Sequence, residues 1–203
     1  MFLTDGPDAA EQVYVFAHGA GGAMDTPFMT TVARELGERG IRVVRFEFPY
    51  MAARRTGGKR GAPDREPLLL NTWREVAAQL GGGPKLFIGG KSMGGRMATL
   101  VADELKVRGA VIFGYPFHPP GQPNKLRTAH LENLTTPMLV LQGERDVFGS
   151  RDDVAGYQLS PQIRIEWIPD GDHSLKPRAK SGTTERENLL HAIDAAAKFM
   201  SSR

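Results

Sequence analysis

The chain has 203 residues, 26 lysines and arginines against 23 aspartates and glutamates, a net charge of +3 and no cysteine. That length suits one domain with a sizeable core, and 40% hydrophobic against 24% charged residues excludes a disordered chain. The absence of cysteine excludes disulfides, thiol catalysis and thiolate metal sites. No stretch approaches the roughly 18–20 apolar residues of a membrane span. Residues 1–8 carry acids where a secretory leader would carry bases, so a soluble cytoplasmic protein is expected.

Val13 to Ala17 reads as a buried strand that ends abruptly in His18-Gly19-Ala20-Gly21-Gly22-Ala23. Thr26-Pro27 opens a helix with Phe28, Val32 and Leu36 as its apolar stripe, and Gly40 follows its end. Ile41 to Phe46 is a second strand, which the chain leaves through Phe48-Pro49-Tyr50-Met51. Arg54 to Arg65 sets five bases among glycines without apolar periodicity, which predicts a solvated surface loop. Its alternative role is to attract an anionic substrate or an acidic partner. Leu68 to Leu80 is a helix with Leu69, Trp73, Val76 and Leu80 on its inner face.

Leu86 to Ile88 is a third strand, and a helical pattern follows in Met97, Leu100, Val101 and Leu105. Gly109 to Phe113 is a fourth strand, followed by the turn-rich Gly114 to Gly121. Pro137 to Gln142 is a fifth, Asp152 to Leu159 a short helix, Ile163 to Ile168 a sixth strand, and Thr184 to Met200 the last helix. Alternating strands and helices predict an α/β fold: a three-layer αβα sandwich on a mostly parallel sheet of about six strands, in one domain over 1–203. Open parallel sheets bind ligands beyond the carboxyl ends of their strands. With the six strands ordered 2-1-3-4-5-6, the glycine-rich loop after the first faces the loop after the third.

That third loop is Gly90-Lys91-Ser92-Met93-Gly94, a G-x-S-x-G turn between strand and helix. Such a turn reverses so tightly that the flanking residues must lack side chains, and it leaves the serine hydroxyl exposed. A serine hydroxyl needs a base in hydrogen-bond reach, and the base needs an orienting acid. The chain order Ser92, Asp146, His173 matches hydrolases built on this elbow. Asp170 and Asp172 lie nearer to His173 in sequence, but neighbours on an extended loop point apart, so Asp146 is the expected acid. The oxyanion of an acyl-transfer intermediate needs N–H donors. Met93 is expected to supply one from its backbone and Ala20 the other, with Gly21 as the alternative. His18 is expected to brace that loop, Lys91 to pack or pair locally or, as the lesser option, to meet a substrate carboxylate, and His130 and His191 to be structural. No cluster has metal-ligand spacing, so neither metal nor cofactor is expected.

These motifs together resemble the serine-type α/β-hydrolase superfamily. The residues that carry the likeness are His18-Gly19-Ala20-Gly21, Gly89-Gly90-Lys91-Ser92-Met93-Gly94-Gly95-Arg96, Gly114 to Pro120, Gln142-Gly143-Glu144-Arg145-Asp146 and Gly171-Asp172-His173-Ser174. More narrowly, the chain is similar to the small predicted hydrolases related to testis-expressed protein 30 and to a subunit of an animal chromatin acetyltransferase complex, and it is dienelactone-hydrolase-like. The resemblance implies the hydrolase fold and the roles of Ser92, Asp146 and His173, but no substrate. Against larger hydrolases, the amino-terminal edge hairpin looks absent or vestigial, and Gly114 to Thr136 is too short for a cap domain. An open site rimmed by Tyr115, Phe117, His118 and Met51 is therefore expected to bind substrate, with ordinary packing as the alternative for Tyr115 and Phe117.

The reading is a serine hydrolase that cleaves a carboxylic ester, with thioester or amide as lesser options, of a small substrate through an acyl-enzyme. The alternative is a catalytically idle binding or scaffold protein on the same fold, and a weaker one is nucleic-acid binding through the arginine-rich loop. The expected partner is a small-molecule ester rather than a membrane or nucleic acid. A homodimer is compatible with the sequence, which does not set the oligomeric state.

Overall fold

A computed structural model describes residues 1–58 and 61–203. Seven strands form one sheet: β1 (Phe2–Asp5), β2 (Val13–Ala17), β3 (Arg42–Phe46), β4 (Leu86–Lys91), β5 (Gly109–Phe113), β6 (Met138–Gly143) and β7 (Ile163–Ile168). The helices are α1 (Pro27–Glu38), α2 (Pro49–Arg55), α3 (Glu66–Gln79), α4 (Met93–Leu105), α5 (Arg151–Val154) and α6 (Glu185–Ser201). The strand order is β1-β3-β2-β4-β5-β6-β7, and every pairing but the first is parallel.

The two-residue period of a strand sends alternate side chains to opposite faces. Tyr14 and Phe16 of β2 pack with Met29, Val32 and Leu36 of α1 and with Ala192 and Ile193 of α6. Val15 and Ala17 of the same strand join Trp73 and Val76 of α3 and Met97 and Val101 of α4 on the other face. Strands buried on both sides read as unbroken apolar runs, which is how β2, β4, β5 and β6 stand out in the sequence.

The sheet is mostly parallel as expected, with seven strands against about six, the added one a short amino-terminal edge strand without a hairpin partner, and two other expectations need correction. β1 runs antiparallel to β3, with Phe2 opposite Phe46 and Asp5 opposite Val43. Four half-exposed residues give no apolar run to detect; Asp5 instead pairs with the buried Arg45 at 2.8 Å. Residues 48–51 do not simply leave β3, since Pro49 starts α2 at its first position, where a fixed φ favours the helix. That helix takes up Arg54 and Arg55 from the predicted surface loop. Arg55 pairs with Glu47 at 2.7 Å and Asp25 at 2.9 Å, and the Arg54 guanidinium lies 5.2 Å from the Tyr50 ring centre. Lys59 and Arg60 of that loop lie outside the described residues.

Residues 114–137, between β5 and β6, carry only one 3-10 turn, Ala129–Leu131. Among the described residues, no cap is evident over the carboxyl ends of β2, β4, β6 and β7. Among the described residues, no helix is long and apolar enough to cross a membrane.

Candidate active site

Ser92 sits between the last residue of β4 and the first of α4, at φ 51° and ψ −117°. This is left-handed backbone that a non-glycine residue rarely adopts, at a cost of about 1–3 kcal/mol. The tight turn explains its glycines. A side chain at Gly94 would drive into the carbonyl of His18 and lie 2.8 Å from Ala17 Cβ, and one at Gly90 would come within 2.9 Å of the Gly95 nitrogen. The strain lifts the serine hydroxyl off the sheet at its carboxyl edge.

His173 lies on the loop after β7 and Asp146 on the turn after β6. The structure brings both to Ser92. Ser92 Oγ is 2.9 Å from His173 Nε2, and His173 Nδ1 is 2.8 Å from Asp146 Oδ2. A carboxylate only accepts, so Nδ1 carries the proton and Nε2 faces the hydroxyl as an acceptor. Asp146 is fully buried. Its Oδ1 accepts from the Phe148 N–H at 2.9 Å, and its Oδ2 also accepts from Gln142 Nε2 at 3.0 Å. Gln142 is itself held by the N–H of Tyr115 at 2.8 Å and the carbonyl of Gly149 at 3.0 Å. Asp172 turns away from the imidazole, and its Oδ1 accepts from the N–H groups of Ser174 and Lys176.

The loop after β2 is braced from below. His18 Nδ1 donates to the Gly19 carbonyl at 2.7 Å, and its Nε2 accepts from the Phe48 N–H at 3.1 Å. Tyr50 Oη donates to the carbonyls of Gly19 and Ala20 at 3.3 and 3.0 Å. In a trans peptide the N–H points opposite the carbonyl. With those carbonyls drawn toward His18 and Tyr50, the N–H groups of Ala20 and Gly21 turn to the other side. There the residues line a cleft of about 330 Å³ that also exposes Ser92 and His173. Met93 is the first residue of α4, so its N–H has no intrahelical partner. Burial pushes the Tyr50 hydroxyl up to about 12, which keeps it a donor at any ordinary pH.

The cleft does not open where the rim residues were expected. Tyr115 and Phe117 are fully buried and His118 and Met51 nearly so, and none of the four lines it. The chain turns inward after β5: the Tyr115 ring packs on Phe117 at 4.7 Å and its hydroxyl donates to the Arg127 carbonyl. The cleft instead lies between the loop after β2, the start of α1 and the loops after β6 and β7. Its apolar walls are Phe28 and Met29 at the start of α1 and Phe148, whose ring stands 4.2 Å from the His173 ring. Phe28 had read as a core residue by helical spacing. A large aromatic two residues past the acid was the available signal for Phe148.

Two histidines away from Ser92 carry a pH consequence. Burial holds the His18 imidazole below its ordinary 6.5, and burial with the nearby Arg96 charge pushes His130 down to about 4. His130 Nε2 is paired with Thr99 Oγ1 at 2.9 Å. Both groups bind protons more readily in the unfolded chain, so their contribution is complete above about pH 6.5 and is lost as pH falls below it, for His130 toward about 4. The urea midpoint is expected to drop between pH 7 and 4.5, and His130→Gln to remove part of the drop. A midpoint flat across that range would contradict this.

Residues 10–201 match a family model described as an alpha/beta hydrolase domain. The chain belongs to the α/β-hydrolase family. Solved structures agree in fold. A serine hydrolase without a lid from Xanthomonas campestris has a TM-score of 0.70 at 21% identity, over 98% of this chain and 88% of that one. An esterase domain from Rhodothermus marinus has a TM-score of 0.67 at 16% identity, over 97% and 90%. A dienelactone hydrolase from Anabaena variabilis has a TM-score of 0.67 at 22% identity, over 99% and 90%. At such identities the likeness of this α/β-hydrolase to them is one of fold.

Proposed function

We propose that this α/β-hydrolase is a serine hydrolase that cleaves a carboxylic ester of a small substrate through an acyl-enzyme on Ser92. The single observation that carries the reading is the continuous hydrogen-bonded chain from hydroxyl to imidazole to buried carboxylate, at 2.9 and 2.8 Å. The family and the esterase and serine hydrolases that share its fold support it. In this reading Ser92 Oγ attacks the ester carbonyl carbon and its proton passes to His173 Nε2. Asp146 stabilises the imidazolium so formed. The tetrahedral oxyanion accepts from the N–H groups of Met93 and Ala20. Collapse re-forms the carbonyl and breaks the bond from its carbon to the alkoxy oxygen, which leaves as the alcohol with the imidazolium proton. Water, deprotonated by the same imidazole, then releases the acid and restores the hydroxyl.

The cleft's size and its apolar walls Phe28, Met29 and Phe148 favour a short to medium acyl group. With p-nitrophenyl esters of rising chain length, turnover is expected to climb from acetate and fall once the chain extends past Phe28, Met29 and Phe148. A fluorophosphonate is expected to displace fluoride and leave its adduct on Ser92. No turnover on any ester, together with no adduct in folded protein, would end the reading and favour an idle scaffold.

A further inference from the structure

Lys91 has no part in the steps above, yet it is built into the elbow. Its stem runs past Gly19, and its ammonium donates to the backbone carbonyl of His173. The Phe28 ring centre lies 5.8 Å from the same ammonium. The contact needs room in the turn after β5, and Gly114 supplies it. Gly114 has φ +69°, and a Cβ there would come within 2.9 Å of both Lys91 Nζ and the His173 carbonyl oxygen and 3.3 Å of His173 Cε1. Three strand ends therefore meet at one point, those of β4, β5 and β7.

The loop after β7 does not hold its shape cheaply. Asp170 and Leu175, on either side of His173, have φ of 50° and 66°, a region that disfavours residues with a Cβ. Local bonds close the loop around His173: Leu175 N–H to the Asp172 carbonyl and Asp172 N–H to the Lys176 carbonyl. Among the described residues, no backbone N–H reaches the His173 carbonyl itself.

We propose that Lys91 is a positioning residue that clamps the His173 backbone and so keeps the imidazole within reach of Ser92. The role rests on the serine-hydrolase reading, but the clamp can be observed without turnover. A cation donating to a carbonyl makes a charge-assisted bond, roughly twice as strong as a neutral one. Burial pushes the Lys91 amine down to about 8, while the carboxylates of Asp146 and Asp172 pull it back up. Those two acids and the His173 imidazole are the titratable groups beside it; Phe28 and Gly114, from the other two elements, are uncharged. The clamp is therefore at full strength at neutral pH and weakens above about pH 8.

The experiment is hydrogen–deuterium exchange of the peptide over residues 170–176, alongside Ser92 phosphonylation and p-nitrophenyl acetate kinetics. It compares wild type with Lys91→Met and Lys91→Arg. Lys91→Met is expected to speed exchange in that peptide about tenfold or more while the core strands stay protected. It should lower kcat and phosphonylation by a similar factor, with KM within about twofold. Lys91→Arg, which keeps the cation, should recover part of both. Wild-type protection in the peptide should step down above about pH 8, and Lys91→Met should lack the step. Unchanged exchange in folded Lys91→Met overturns the clamp. Faster exchange with unchanged phosphonylation overturns its positioning role. A wild type that takes no adduct on Ser92 and turns over no ester sinks the hydrolase reading instead, and exchange still decides the clamp. Where Lys91→Met fails to fold, the same comparison in Lys91→Gln, too short to reach the His173 carbonyl, decides, and unchanged exchange there counts against the proposal.

Discussion

Ser92→Ala is expected to lower ester turnover by about 10⁴-fold or more and to abolish fluorophosphonate labelling, while the protein stays folded. The first part follows from chemistry. Without Oγ no acyl-enzyme can form, and the imidazole of His173 loses the proton donor that sits 2.9 Å from it. Direct attack by water assisted by the remaining N–H donors would leave only residual activity. The second part follows from the backbone. Ser92 and its replacement both carry a Cβ, so the strain at φ 51° is unchanged. The hydroxyl faces the cleft rather than the core, so its loss should alter stability by less than about 1 kcal/mol. Steady-state kinetics on a p-nitrophenyl ester and a urea titration check both halves. Wild-type turnover in purified Ser92→Ala would remove Ser92 from the reaction altogether.

What the sequence disclosed about this site followed a physical pattern. Residues whose type is forced by local geometry were legible. Gly90 and Gly94 have to be small because backbone crosses where their side chains would lie. The apolar runs of β2, β4, β5 and β6 have to be continuous because both faces are covered. The order of Ser92, Asp146 and His173 along the chain could be read because each follows a strand's carboxyl end, where parallel topology gathers the loops.

The cleft walls were illegible for the opposite reason. Phe28 satisfies the same helical spacing as Val32 and Leu36, and periodicity does not separate a residue facing the core from one at the helix's first turn, where the wall runs out into solvent. Tyr115 and Phe117 sit beside Gly114 at a strand end, which suggests a rim. Their burial depends on the chain turning under Phe148 and Gly149, a long-range contact with no local signal. Tyr50 was missed in the same way. Its hydroxyl acts on the loop after β2, about 30 residues away, from a helix that a proline starts directly after β3.

Asp146→Asn is expected to lower kcat about 10⁴-fold with the fold intact, a loss that comes from geometry as much as charge. The carboxylate of Asp146 meets three donors. Oδ1 takes the Phe148 N–H, and Oδ2 takes both the Gln142 amide and His173 Nδ1–H. Asparagine has one oxygen and one NH₂ for these positions. If its oxygen stays on Phe148, the NH₂ faces two donors, and the imidazole is relieved only by moving its proton to Nε2. That tautomer presents an N–H to Ser92 where an acceptor is needed. If the amide is reversed, its NH₂ meets the Phe148 N–H in a fully buried setting, which costs about 1–3 kcal/mol. Gln142 cannot rotate to compensate, because its oxygen holds the Tyr115 N–H and its nitrogen the Gly149 carbonyl. With the oxygen on Phe148 the Gln142 amide still meets the asparagine NH₂, so either arrangement leaves one buried donor against another; the variant should fold with some loss of stability, keep KM within a few-fold and lose kcat through the wrong tautomer. Asp172→Asn is the control. Its carboxylate caps only the turn from Ser174 to Lys176, and its replacement should leave kcat within about threefold. The reverse ranking, with Asp172→Asn the more damaging, would move the orienting acid from residue 146 to residue 172.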